Sequence, residues 1–157
     1  MEVSVYDINL DLQGIIENKT SLLWTRRYNE TGVFELNAPM TVDNLRLLVM
    51  ANIISFKGAD EAGIIEDTKL YATSTVHEIV ASGRFLDSYL DRRIIKGTMN
   101  FSGTIENAMR QVFTQATPLP LIQLGEVKGF EETIQFQATY KNVLDYVQKL
   151  AKAGELG

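Results

Sequence analysis

The chain has 157 residues, 45% of them apolar, and a net charge of −5 from 15 Lys and Arg against 20 Asp and Glu. That length and apolar share exclude a disordered chain and suit one domain or two small packed units. The negative balance supplies no global field for DNA or an anionic membrane.

The chain has no cysteine and a single histidine, His77. Disulfides, thiolate nucleophiles, zinc–thiolate sites, iron–sulfur clusters and multi-histidine metal sites are excluded together. The first residues lack the basic and apolar regions of a signal peptide. The longest apolar run, residues 47–51, is far short of the roughly 20 needed to span a bilayer. The expectation is a soluble protein made without a leader, with no membrane insertion, no specific nucleic-acid partner and no cofactor.

In chain order, Val3, Val5 and Ile8 lead to a polar turn at 9–13, and Ile15-Ile16 resumes a hairpin. Residues 22–28 alternate, with Leu22, Trp24, Arg26 and Tyr28 on one face and Leu23, Thr25 and Arg27 on the other. A loop at Glu30-Thr31-Gly32 pairs Asn29 with Val33, Tyr28 with Phe34 and Arg27 with Glu35. After Pro39, Thr41 caps a short helix to residue 49, buried through Val42, Leu45 and Leu48. Residues 52–57 and 63–67 form a second hairpin. A strand over 73–82 ends at Gly83, and a short helical stretch with Phe85, Leu86, Tyr89 and Leu90 precedes a strand at 93–96.

The character changes near Gly97. Ser102 caps a helix with Ile105, Met109, Val112, Phe113 and Ala116 on one stripe, stopped by Thr117-Pro118-Leu119-Pro120. Strands follow at 121–124 and 133–138. A closing helix buries Tyr140, Val143, Leu144, Val147 and Ala151, with Gly154 at its C′ position. The fold class is therefore α+β: a β-rich unit over 1–97 made of antiparallel hairpins, then a smaller α+β unit over 98–157. Its abrupt end suggests a unit that continues in a longer chain. Gly14-Ile15-Ile16-Glu17 recurs as Gly63-Ile64-Ile65-Glu66, a repeat that ordinary β-branched strand composition explains.

No catalytic residue emerges. P-loop, GxSxG, HExxH, calcium-loop and Rossmann patterns are absent. His77, read as mid-strand beside Ile79 and Ala81, suits packing or local hydrogen bonding better than general-base work. The carboxylates Glu17, Asp60, Glu61 and Glu66 read as solvated surface. The sequons at Asn18, Asn29 and Asn100 read as chance matches. The doublets Arg26-Arg27 and Arg92-Arg93 stand out more, because each offers one arginine to either face of a strand. Arg26 beside Trp24 and Tyr28 has the composition of an interface anchor. Trp24, Arg26, Tyr28 and Arg92 are thus the candidate interface residues.

Several blocks in order carry a resemblance: Ser21-Leu22-Leu23-Trp24-Thr25-Arg26-Arg27-Tyr28, Gly32-x-Phe34-Glu35-Leu36 with Pro39, Asn52-Ile53-Ile54, Gly63-Ile64-Ile65-Glu66, and Ser82-Gly83-Arg84-Phe85-Leu86 leading to Arg92-Arg93-Ile94-Ile95. They resemble prophage and siphophage tail proteins of the baseplate-hub family, the N-terminal region of tail-associated lysins from phages of Gram-positive hosts. The resemblance covers most of 3–96 and is looser over 97–157. It implies a barrel-like, tube-type domain in a virion structural protein at the tail tip, assembled in the host cytoplasm. The implied partners are the distal tail protein ring and the tape measure, with a homotrimer in the full-length protein. It implies no enzyme and carries no catalytic residue into this region. A host-surface glycan-binding module, with Trp24, Tyr28 or Tyr71 as stacking platforms, is the alternative, and a carboxylate-dependent cell-wall hydrolase a further one.

Overall fold

The computed structural model describes residues 2–119 and 121–156. The chain divides into two compact units, Met1–Arg26 with Thr31–Leu86, and Arg27–Glu30 with Asp87–Gly157. The division falls between Leu86 and Asp87, ahead of the position near 97 expected from composition, because Leu90 and Ile95 pack into the second core.

The first unit is built on β1 (Val3–Tyr6), β2 (Leu12–Ile16), β3 (Ser21–Arg27), β4 (Glu30–Pro39), β5 (Ile53–Phe56), β6 (Gly63–Ala72) and β7 (His77–Phe85). They form one sheet in the order β2-β1-β5-β6-β7-β4-β3. Antiparallel ladders join β1 to β2 and β5, β5 to β6, β6 to β7, and β7 to β4. Period-two alternation sends Val3, Val5, Phe34, Leu36, Ala38, Ile54, Ile65, Ile79 and Ala81 into one core. The sheet must curl to do this. Trp24 on β3 lies 5.1 Å from Phe56 on β5 between ring centroids, whereas four strand spacings in a flat sheet would separate them by roughly 19 Å. The curl is barrel-like, but among the described residues no ladder closes it, and β2 and β3 remain its edges.

Helix α1 (Val42–Leu47) starts where expected, with the Thr41 hydroxyl accepting from the Asn44 N–H. Its buried face differs. Leu48 is buried as expected, but Val42 is 83% exposed and Leu45 is exposed too, and Asn44 and Leu47 are buried in their place. Asn44 sets this orientation by donating from its side-chain amide to the Pro39 carbonyl at 2.8 Å and to Asn18 Oδ1 at 3.2 Å. Replacing Asn44 with Ala leaves the Pro39 carbonyl without that donor. A loss of about 1–3 kcal/mol in urea-denaturation stability is expected.

The β3–β4 connection corrects the expected register. β3 ends at Arg27 and β4 begins at Glu30, so the loop is Tyr28-Asn29, with Asn29 at φ 61°. Asparagine tolerates the left-handed region better than most residues. The Thr20 N–H donates to the Asn37 carbonyl, fixing the same register at the far end. Gly32 lies inside β4, where an added Cβ would sit 2.3 Å from the Phe85 ring. The Tyr28–Phe34 and Arg27–Glu35 pairs therefore do not form. Phe34 points into the core, and Glu35 pairs with Ser82.

The expected strand over 73–82 is divided differently. β6 extends to Ala72, residues 73–76 turn, and β7 starts at His77. His77 is thus an exposed residue at a strand start rather than mid-strand. Gly83 does not break β7; it pairs with Phe34 on one side and Ile65 on the other, beside a bulge in β6.

In the second unit, a 3₁₀ turn (Leu86–Arg92) leads to β8 (Thr98–Thr104), α2 (Ile105–Ala116), β9 (Thr133–Thr139) and α3 (Val143–Ala153). β8 and β9 pair antiparallel from Thr98↔Thr139 to Thr104↔Thr133. Ile95, Met99, Ala108, Val112, Phe113, Ala138, Val143, Leu144 and Leu150 fill its core. The stripe on α2 is as expected, but the cap is Thr104, which accepts from the Asn107 N–H. Ser102 lies inside β8. Of the expected strand at 93–96 only an isolated Ile94↔Asn142 bridge forms, and residues 121–124 form no strand. Pro120, part of the expected helix stop, lies outside the described residues. Tyr140 precedes α3 and is exposed, since Asn142 is the cap. Glu155, at φ 52°, takes the left-handed position expected of Gly154.

Candidate functional site

The structure separates the four interface candidates. Trp24 and Arg26 belong to the first unit, Tyr28 and Arg92 to the second.

Trp24 is the centre of an aromatic cluster, with Phe34, Phe56 and Phe85 at centroid distances of 5.7, 5.1 and 4.7 Å. Its ring is used inside the first unit and is not an open stacking platform. Arg26, two residues along the same face, pairs with Glu61 from the β5–β6 loop at 2.7 Å. The hydrogen bond from Arg26 holds the Glu61 carboxyl below its ordinary range, and the same bond raises Arg26.

In the second unit, Tyr28 is 69% exposed and its hydroxyl donates to the Glu155 carbonyl. Nearby, Lys152 of α3 donates to Glu30 at 2.7 Å, and that bond holds the Glu30 carboxyl low. The Arg92 guanidinium lies over the Tyr89 ring, 4.6 Å from its centroid.

A cavity of about 490 Å³ opens in the same unit, walled by Met109, Phe113, Phe130, Leu144 and Val147 with Glu106 and Arg110 at its polar side. Glu106 was not singled out from the sequence. Its carboxylate accepts from the backbone N–H groups of Lys128 and Gly129 at 2.7 Å each and of Phe130 at 3.2 Å. Arg110 bridges to it one helical turn on and donates to the Gly125 carbonyl. Helix α2 thereby clamps the irregular 125–130 segment. The four-residue Glu106–Arg110 spacing is legible in the sequence, but the distant backbone donors are not.

The Lys128 N–H, followed by those of Gly129 and Phe130, holds the Glu106 carboxyl below its ordinary value against a smaller desolvation cost. A depressed folded value means the clamp's contribution is complete above the ordinary carboxylate pKa of about 4.3 and is lost as pH falls through the lowered value. Hydrogen exchange at the Lys128, Gly129 and Phe130 amides is expected to be accelerated on the order of tenfold by Glu106→Gln at neutral pH. The wild-type chain should show the same opening only in acid, as pH falls below the ordinary carboxylate range.

The remaining acids resemble structural partners more than a catalytic pair. Glu66 is gripped by Arg84 through both carboxylate oxygens, and Glu61 by Arg26. Among the described residues no group of three or more His, Cys, Asp or Glu is placed to hold a metal ion. No helix among them is long and apolar enough to cross a membrane.

Comparison with known proteins agrees with this fold. Residues 2–157 match the family described as Siphovirus ReqiPepy6 Gp37-like protein. Among solved structures, the chain is similar to prophage tail protein gp18 from Listeria monocytogenes EGD-e, with a TM-score of 0.69 and 14% identity over 96% of this chain and 45% of that one. The tail protein from Neisseria meningitidis MC58 gives 0.66 and 17%, over 96% and 44%. The 43 kDa tail protein of prophage MuSo2 from Shewanella oneidensis gives 0.61 and 16%, over 98% and 48%. The chain thus spans less than half the length of each. No curated protein matches it. With its whole described length matched and its fold shared with solved phage tail proteins, the chain belongs to the Siphovirus ReqiPepy6 Gp37-like family.

Proposed function

We propose that the chain is a structural component of a phage tail that acts by assembly rather than by turnover. The observation that carries this reading is the family match over residues 2–157 joined to a fold shared with three solved tail proteins. Within the tail, the proposed place is the tip, as part of a baseplate hub forming a ring below the tail tube. Its neighbours there are the distal tail protein and the tape measure, and the full-length protein is a homotrimer assembled in the host cytoplasm. A curled sheet with edges at β2 and β3 supports such a role, because unpaired strand edges are natural sites for a neighbouring chain. The net charge of −5 suits a protein beside a DNA conduit, which must not grip phosphates.

Immunogold electron microscopy with antibody to residues 1–157, on particles from the parent strain, tests this directly. Label at the distal end of tails is expected. Unlabelled particles with the antigen free in the lysate would sink the assignment and turn attention to glycan binding and wall hydrolysis.

A further inference from the structure

Both residues of the second arginine doublet, Arg92-Arg93, are exposed. Arg92, Arg93 and Lys96 surround a concavity of about 390 Å³ in the second unit, completed by Ile94 and by Thr117 and Pro118 at the end of α2. Among the described residues no acidic side chain lines it, so three cations within five residues stand together in a chain whose net charge is −5. The Arg92 guanidinium sits over the Tyr89 ring, 4.6 Å from its centroid, a contact that leaves it less rotamer freedom to lose on binding.

We propose that this concavity docks an acidic segment of a protein partner. Charge sets the sign of the occupant, and three further features select a polypeptide over a nucleic acid. Ile94 is 52% exposed between the cations, an apolar contact that suits a side chain and not a phosphodiester backbone. The last turn of α2 forms one wall; the Thr114 carbonyl there is met by the Thr117 N–H and hydroxyl, and the carbonyls that end a helix after it lack an intrahelical N–H and carry its negative end. A phosphate chain offers mainly acceptors there, whereas a peptide brings N–H donors for the carbonyls together with carboxylates for the cations. Arginine forks also match carboxylates bidentately. On the reading above, the partner is a neighbouring tail protein; the chemistry of the site does not depend on that identity.

The test is fluorescence anisotropy on the full chain with a labelled short peptide of alternating Glu and Leu, compared with a labelled oligothymidylate of matched charge. Salt-sensitive binding of the peptide, tighter than that of the oligonucleotide, is expected. The double variant Arg93→Glu, Lys96→Glu should weaken it by about tenfold or more while circular dichroism stays native, these side chains being exposed. If the reversal disturbs folding, Arg93→Gln with Lys96→Gln should give a smaller loss in the same direction. Absent peptide binding, an affinity indifferent to these substitutions, or tighter oligonucleotide binding through the same residues would overturn the proposal. None of these outcomes bears on whether the chain sits in tails, which the gold label reads independently.

Discussion

Gly83→Ala is expected to unfold the first unit at ambient temperature or to leave it barely stable. An added Cβ there would lie 1.9 Å from the Ile64 carbonyl oxygen and 3.0 Å from the Glu66 backbone nitrogen. Neither is the end of a flexible side chain, so relief requires moving β6. That strand is bulged between Ile65 and Asp67 where Gly83 faces it, and β7 is held by β4 on its other side. Ordinary overpacking costs about 1–3 kcal/mol because side chains can shift. A backbone clash in a strand paired on both sides should exceed that and reach about 4 kcal/mol or more. The only tryptophan, Trp24, reports on this unit, so urea denaturation followed by its fluorescence measures the effect. A midpoint close to wild type would show that the β6 bulge is not held against Gly83.

Trp24→Ala is expected to cost about 3–5 kcal/mol of stability, the range for deleting a large aromatic from a core. Its ring packs near Phe34 on β4, Phe56 on β5 and Phe85 on β7, so one side chain ties the β7-β4-β3 end of the sheet to β5, four strands from β3. Trp24→Phe keeps much of that contact and should lose markedly less. Circular dichroism must follow both unfolding transitions, since the fluorophore is removed. A Trp24→Ala chain as stable as wild type would restore Trp24 as a surface residue reserved for a partner.

The contrast between these two positions shows what the sequence can and cannot reveal. Trp24 was conspicuous by its alternation with Leu22 and Arg26, yet alternation gives a face and not what the face meets. Its aromatic partners come from three other strands, and Glu61, the partner of Arg26, is 35 residues away. Gly32 and Gly83 were read as turn and breaker because glycine's freedom at positive φ is its best-known use. Both sit instead in strands where a ring or a backbone approaches too closely for a Cβ, and no local pattern reports such an approach. The turn went to Asn29.

Periodicity alone locates the stripe of α2, that of α3 from Val143 onward, and the hairpins β1–β2 and β5–β6. On α1 the polar Asn44 outranks Val42 for the buried side because it finds two acceptors there. Neither the role of Glu106 nor the partner of Arg26 is legible locally. Both signals depend on long-range partners, the first on backbone amides more than twenty residues on.

The proposed place of the chain, at the tip of a phage tail, is tested most directly by cryo-electron microscopy of intact tails from the parent phage. The account predicts density at the distal end into which both units fit, the seven-stranded sheet and the β8–β9 ribbon with α2 and α3, repeated in a ring below the tube. A tail tip resolved to side-chain detail, with every chain traced and none of them this one, would contradict it.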